Sequence, residues 1–300
     1  MGMQEIAPGV AALPLSIENV YFVGAPGQPW ALVDTGTPGT AGRIQAGARE
    51  RYGKGARPQA ILLTHGHTDH VGSAQALSDA WNVPVYAHPL ELPYITGQSP
   101  YPPKDPTVGG AMAMLSRVFP MNVVDLGNRV QPLPDGGVVP GLPDWEWRPT
   151  PGHSPGHVSY FRPEDGTLLA GDAFATVNLD SLPALVTKRP EISLPPTPFT
   201  CDWTAADQAV QLLASFNPFT IGCGHGRPMS GPNVAADLNR FADGFTPPAH
   251  GRYVGSPART DENGLLSVPP PAPDPFPAQA AVVALALGAA ITLAKRRKQD

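Results

Sequence analysis

Cysteine is nearly absent: Cys201 and Cys223 are the only two in 300 residues. A disulfide framework is thereby excluded as the organising principle, and a reducing compartment is the default expectation. Basic clusters are missing too. Lys and Arg number 20 against 25 Asp and Glu, the formal net charge is −5, and no basic run occurs before residue 295. Such a chain lacks the electrostatic footprint of a nucleic-acid binder, so no nucleic-acid partner is expected. The N-terminus, Met1-Gly2-Met3-Gln4-Glu5, has neither a positive region nor a continuous apolar stretch, so no signal peptide is read there. The expected location is cytoplasmic, or membrane-associated through the C-terminus. Apolar side chains are plentiful at 42% of the chain, enough to bury a sizeable core.

Hydrophobic patterning alternates between short strands and helices. Val10 to Leu15, Asn19 to Val23 and Trp30 to Val33 read as strands, and Val83 to Ala87 as another. Helical patterning covers about Gly39 to Tyr52 and Gly72 to Trp81. A further helix is read from Thr204, with Asp207 as its capping-box partner, to about Ser215.

The most informative stretch is Thr64-His65-Gly66-His67-Thr68-Asp69-His70, directly after the apolar run Ala60-Ile61-Leu62-Leu63. Imidazole and carboxylate are ligands suited to zinc and similar borderline ions. A loop leaving a buried strand can aim several of them at one point. The competing reading is a polar turn that happens to be rich in histidine. It is weakened because His65, His67 and His70 are three of only eight histidines in the chain. Further donors follow strand-like or turn-like stretches. His153 lies in the Pro- and Gly-rich segment Thr150 to His157, Asp172 follows Thr167-Leu168-Leu169-Ala170-Gly171, and His225 follows Phe219 to Gly224.

The order His65-Gly66-His67-Thr68-Asp69-His70, His153, Asp172, His225 resembles the metallo-β-lactamase superfamily of metal hydrolases. Leu32-Val33-Asp34-Thr35-Gly36 resembles that family's first motif, and the likeness runs to around residue 230. The resemblance implies an α+β fold, a four-layer αββα sandwich with the metal site at one edge. It also implies that His65, His67 and His153 hold one zinc, that Asp69, His70 and His225 hold the other, and that Asp172 bridges them. Asp69 would also act catalytically by orienting a hydroxide shared between the metals. Asp34 would support a ligand imidazole from behind, although a turn-capping aspartate before Thr35-Gly36 remains the alternative. Manganese or iron(II) could replace zinc in such an oxygen and nitrogen donor set. Cys223 reads as a buried core thiol.

Residues 1–255 are expected to form the hydrolase domain, with 91–120 as an insertion that is either a lid or ordinary surface packing. Tyr94, Tyr101, Met112 and Met114 are its candidate lining residues. Residues 256–277 read as a proline-rich linker and 278–300 as an apolar segment with a basic tail. Ala278 to Ala294 carries no charge and ends at Lys295-Arg296-Arg297-Lys298, which leaves a membrane anchor and a docked helix both open.

The expected function is hydrolysis of an ester, thioester or lactone of a small-molecule substrate. Phosphodiester or phosphonate hydrolysis, or a nonhydrolytic ligand-binding protein tethered at the membrane, are the alternatives. Departures from known branches of the family narrow the choice. Its glutathione-thioester hydrolases continue with Glu-Tyr after the last metal histidine, where this chain has Gly226-Arg227-Pro228. Its quorum-quenching lactonases place a tyrosine shortly after the bridging aspartate, where Ala173 to Thr176 offers none. Its zinc β-lactamases usually lack the bridging carboxylate itself.

Overall fold

A computed structural model describes residues 2–119, 124–187, 189–274 and 276. One sheet contains seven strands in sequential order: β1 (Gln4–Ala7), β2 (Val10–Pro14), β3 (Asn19–Val23), β4 (Ala31–Val33), β5 (Ile61–Leu62), β6 (Val85–Ala87) and β7 (Val130–Pro132). The second contains β8 (Glu146–Pro149), β9 (Val158–Arg162), β10 (Thr167–Gly171), β11 (Thr220–Cys223) and β12 (Met229–Ser230), in the order β12-β11-β10-β9-β8. Helices α1 (Ala41–Tyr52), α2 (Thr68–Val71), α3 (Ala74–Trp81), α4 (Leu92–Ile95) and α5 (Gly110–Ser116) interrupt the first sheet in sequence. Helices α6 (Leu182–Thr187) and α7 (Trp203–Ser215) join β10 to β11, and α8 (Val234–Asp243) follows β12.

The two-residue alternation of strand side chains sorts the core into three slabs. Ala11, Leu13, Val20, Phe22, Leu32 and Ile61 face outward from the first sheet and pack on Ile44 and Ala48 of α1 and Leu77 of α3. Their neighbours Val10, Ala12, Tyr21, Val23, Val33 and Leu62 face inward and meet Trp147, Val158, Tyr160 and Leu169 of the second sheet. On the far side, Phe161, Leu168, Ala170, Ile221 and Cys223 pack on Val210 and Leu213 of α7 and Leu238 of α8. Helix, sheet, sheet, helix is the expected four-layer αββα sandwich, and Cys223 is the core thiol expected of it.

Strand direction then places the functional loops. β4, β5 and β6 run parallel, as do β10 and β11; β8 runs with β10 because each is antiparallel to β9. Parallel neighbours need crossovers, which α1, α2 with α3, and α6 with α7 provide. The loops after β4, β5, β8, β10 and β11 therefore leave from the carboxyl ends of co-directed strands. Asp34, the His65 to His70 segment, His153, Asp172 and His225 sit in those loops or at their helical starts.

Some local expectations shift. The helix read from Thr204 begins at Trp203, and its cap is Asp202, whose Oδ1 accepts the Ala205 N–H at 2.9 Å. Asp202 has extended backbone angles suited to that position, whereas Thr204 is already helical. Within the stretch read as a linker, β13 (Arg259–Asp261) and β14 (Gly264–Ser267) form a hairpin. Leu265 donates its N–H to Ser99 Oγ at 2.9 Å, and Asp274 pairs with Arg117 through two bonds of 2.8 and 3.0 Å. The described part of that segment is thus tied to the 91–120 insertion. Among the described residues no helix is long and apolar enough to cross a membrane. Ala278 to Ala294 lies outside the described residues.

The slab between the sheets gives a direct test. Leu169→Ala removes a fully buried side chain there and is expected to cost about 2–5 kcal/mol. Val186→Ala on α6, where the side chain is 83% exposed, should stay within about 0.5 kcal/mol. Urea unfolding midpoints of the two variants check the contrast.

Candidate metal centre

The loop after β5 turns at once into the single helical turn α2, with His67 as its extended N-cap. That sharp change of direction puts His65 and His67 before the turn and Asp69 and His70 on it, all aimed at one region. His153 reaches the same region from the loop between β8 and β9, Asp172 from the end of β10, and His225 from the end of β11.

Three groups of donors converge: His65, His67 and His153; His65, His70 and Asp172; and Asp69, His70 and His225. Within each group the ligand atoms lie within 4.8 Å of one another. Nδ1 of His67 is 2.9 Å from Nε2 of His153. Asp172 Oδ2 lies 3.2 Å from His225 Nε2, 3.4 Å from His70 Nε2 and 3.5 Å from His153 Nε2. Asp69 Oδ2 is 3.4 Å from His225 Nε2. All seven donors predicted from sequence are therefore gathered at one point.

Three observations show that these residues suit cations. His65 Nε2, His70 Nε2 and Asp172 Oδ1 are buried and make no hydrogen bond, a costly arrangement unless something else satisfies them. Gly224 leaves backbone where a Cβ would lie 2.1 Å from Asp172 Oδ1 and 2.5 Å from His70 Cε1. The donors themselves are nitrogen and oxygen only, the set that accepts zinc, manganese or iron(II).

The protonation states divide the site. Burial, reinforced by the neighbouring imidazoles His70, His67 and His153, drives His65 well below its ordinary pKa. Burial likewise lowers His67 to about 4 and His153 well below its usual value. All three rings are neutral at neutral pH, so each carries one nitrogen lone pair. Burial also opposes charging of His70 and His225, but Asp172 with Asp34 and Asp69 around the first, and Asp172 with Asp69 around the second, outweigh it and raise both. One half of the site is a set of neutral imidazoles; the other is a cluster of imidazole–carboxylate pairs.

Supporting groups fix the imidazole tautomers. His70 Nδ1 donates to Asp34 Oδ2 at 2.8 Å, leaving Nε2 as the donor atom toward the centre. Asp34 also accepts Thr64 N–H and Thr64 Oγ1–H, both at 2.8 Å, so it locks the end of β5 as well. The role expected of Asp34 behind a ligand imidazole is the one the geometry favours over a turn cap. Its own φ is +60°, a left-handed conformation that aspartate tolerates better than most residues. His225 Nδ1 donates to the Ile17 carbonyl at 2.9 Å, which frees its Nε2 in the same way.

One supporting residue was not assigned a role from sequence. His157 is fully buried, and its Nε2 accepts the N–H of Asp172 at 2.9 Å. Its Nδ1 must then carry the proton and donate to Thr150 Oγ1 at 2.9 Å, from which the chain runs through Ser159 Oγ to the Ala170 carbonyl. Burial holds this imidazole at about 3, so it stays neutral. The second histidine of His153-Ser154-Pro155-Gly156-His157 is the only sequence signal for it.

A cavity of about 550 Å³ opens onto His67, Asp69, His153, Asp172 and His225. Tyr94, Tyr101, Met112 and Phe119 from the insertion, with Ile17 and Phe199, form its apolar wall. Met114 does not join them. It lies on the opposite side of α5 from Met112, two residues away, and is 55% exposed.

Known proteins are similar to this chain in sequence and fold. The family model described as the metallo-beta-lactamase superfamily matches residues 13–225. The probable metallo-hydrolase YflN of Bacillus subtilis is 42% identical over 242 residues, covering 80% of this chain and 92% of its own. Among solved structures, TTHA1623 in a di-iron-bound form is 27% identical with a TM-score of 0.51, covering 79% of this chain and 97% of that one. The metallo-beta-lactamase family protein TTHA1429 from Thermus thermophilus is 23% identical with a TM-score of 0.54, covering 80% and 79%, which shows the fold alone. With the sandwich, the convergent donors and a family match spanning every donor, the chain belongs to the metallo-beta-lactamase superfamily of metal-dependent hydrolases.

Proposed function

We propose that the protein binds two divalent ions and hydrolyses an ester, thioester or lactone of a small molecule, with zinc the first-choice metal and manganese or iron(II) the alternatives. The observation that carries this reading is the position of Asp172. One of its oxygens lies within 3.5 Å of His153 from one donor set and of His70 and His225 from the other. A carboxylate so placed can serve two cations at once and offset part of their charge, which an imidazole cannot. In this reading His65, His67 and His153 would hold one ion, Asp69, His70 and His225 would hold the other, and Asp172 would serve both.

Two bound cations would supply a water of lowered pKa and polarise the oxygen of an incoming carbonyl or phosphoryl group. Asp69 would orient that water. Its side chain is 28% exposed and lines the cavity, while that of Asp172 is 2% exposed. Asp34 keeps the His70 ring from turning away and His157 holds the Asp172 backbone, which would preserve the geometry through the reaction. The apolar wall excludes bulk water and accepts an uncharged substrate body. Lys104 is the one lysine on that wall among the described residues, and its ammonium donates to the carbonyls of Ser116 and Phe119. A substrate phosphate finds little countercharge there, which favours carbonyl substrates over phosphodiesters. The name of YflN, a probable metallo-hydrolase, and the di-iron form of TTHA1623 support the chemistry and leave the metal open between zinc and iron.

Metal-reconstituted protein should contain two ions per chain by elemental analysis, and His65→Ala and His225→Ala should each lose one. A wild-type value of one or fewer counts against the paired site. On a panel of chromogenic esters, thioesters, lactones and phosphodiesters, a carbonyl substrate should be turned over fastest. Asp172→Asn should then slow that substrate by roughly tenfold to a thousandfold at saturating metal. Fastest turnover of a phosphodiester, or an unchanged Asp172→Asn rate, would contradict the assignment.

The uncharged run from Ala278 to Ala294, closed by Lys295-Arg296-Arg297-Lys298, supports association with a membrane. Deleting residues from 278 onward should move the protein from the membrane to the soluble fraction and leave hydrolysis intact, since every proposed ligand lies at or before His225. Full-length protein that is already soluble in low salt without detergent rules the association out.

A further inference from the structure

Glu91 lies outside every group so far described, yet no part of its residue reaches solvent. It follows His88 in the short turn Pro89–Glu91 that leads into α4, on the insertion side of the cavity. A buried carboxylate in such a place must find donors, and it finds four. Its Oε2 accepts the Gly66 N–H at 2.9 Å and the Tyr101 hydroxyl. Its Oε1 accepts Ser154 Oγ–H and Gly156 N–H, both at 2.7 Å.

These partners are not neighbours in sequence. Gly66 stands between His65 and His67, and Ser154 and Gly156 stand just after His153. One carboxylate therefore ties together the two separate loops that carry the three neutral imidazoles. None of its four hydrogen bonds goes to Asp69, His70 or His225. The glycines provide an independent sign of the same arrangement. A Cβ at Gly156 would lie 2.8 Å from Glu91 N and 2.9 Å from its Cγ, and one at Gly66 would lie 2.2 Å from Ile95 and 2.4 Å from the Tyr101 hydroxyl. Neither glycine has a positive φ. Both are required by the approach of the Glu91 turn and the insertion, not by their own backbone conformation.

The fourth bond brings in the cavity wall. Tyr101 stacks on Tyr94 with ring centroids 4.3 Å apart, and its ring lies 4.8 Å from that of His67. Its hydroxyl is bound to Glu91, so the wall is registered against the same loops that carry the ligands.

We infer that Glu91 is a positioning residue that clamps the His65/His67 loop to the His153 loop and so sets the geometry of one metal position only, while Tyr101 uses the same carboxylate to fix the substrate wall. This rests on the two-ion reading given above. Glutamine is nearly isosteric with glutamate but can offer only one accepting oxygen. Whichever way its amide lies, it faces a main-chain N–H with an N–H, and one of the two loops is released. A general packing role would instead affect both metal positions alike.

The test is a chelator titration of zinc-loaded protein, in which the two release steps are assigned with His65→Ala and His225→Ala. Glu91→Gln should weaken the step belonging to His65, His67 and His153 by about tenfold or more, the scale of lost support behind metal ligands, and leave the other unmoved. Ser154→Ala, which removes one of the four donors and keeps the carboxylate, should shift the same step by less and serves where Glu91→Gln does not fold. Tyr101→Phe should raise KM for the preferred substrate and shift the release steps less than Glu91→Gln does. If Glu91→Gln and Ser154→Ala shift both steps equally, or neither, the clamp is wrong although two ions are bound. A wild type that releases a single ion defeats the two-ion reading and this inference with it.

Discussion

A buried carboxylate held within 3.5 Å of three imidazole nitrogens is the constraint around which the rest of the molecule is arranged. Asp172 cannot be left there by packing alone, because an ionised group removed from water is costly unless charge or hydrogen bonds answer it. Part of the answer lies in His70 and His225, which its charge pushes toward the protonated form. The remainder lies in geometry. His157 holds the Asp172 backbone, Asp34 holds His70, and the Ile17 carbonyl holds His225. Each of these fixes an angle as well as a distance, so the donors face inward even though they repel or strand one another.

Such a cluster runs against folding stability. Three imidazoles driven below their normal pKa and three buried atoms without hydrogen bonds are unfavourable in isolation. The two sheets offset this through the apolar slab between them and the two slabs under the helices. Local strain concentrated at a site and supported by an ordinary core is the pattern expected where function competes with stability. Bound cations would relieve it directly, so metal loading and folding should be linked in this protein.

The insertion and the C-terminal segment modify this common scaffold. Proline at positions 100, 102, 103 and 106 keeps the insertion from extending either sheet, and it folds instead as short helices over the cavity. The hairpin of β13 and β14 and the Asp274–Arg117 pair then brace it from outside. The cavity wall is therefore built from residues the family motifs do not contain, such as Tyr94, Tyr101 and Phe119, and in the proposed reading these would choose the substrate. A shared fold with many substrates follows from that division of labour.

The seven donors were legible in the linear chain, and the layers followed from the family that their order resembles. The nearly continuous apolar run Val20 to Val23 marks a strand buried on both faces, as the resembled sandwich requires, and the donors announce themselves by crowding after strand ends. The sequence also determined the chemical type of the site, since nitrogen and oxygen donors without thiolate narrow the metals. The grouping of the donors was implied by the resemblance, but only the fold supplies its physical cause, because strand direction and not sequence distance brings His65 and His153 together. The fold decided the work of His157 and Glu91 too, whose partners lie on other loops and leave no local pattern. Hydrogen bonds between distant segments depend on where the folded chain puts them, and a linear pattern carries only the periodicities and short-range spacings that the backbone imposes.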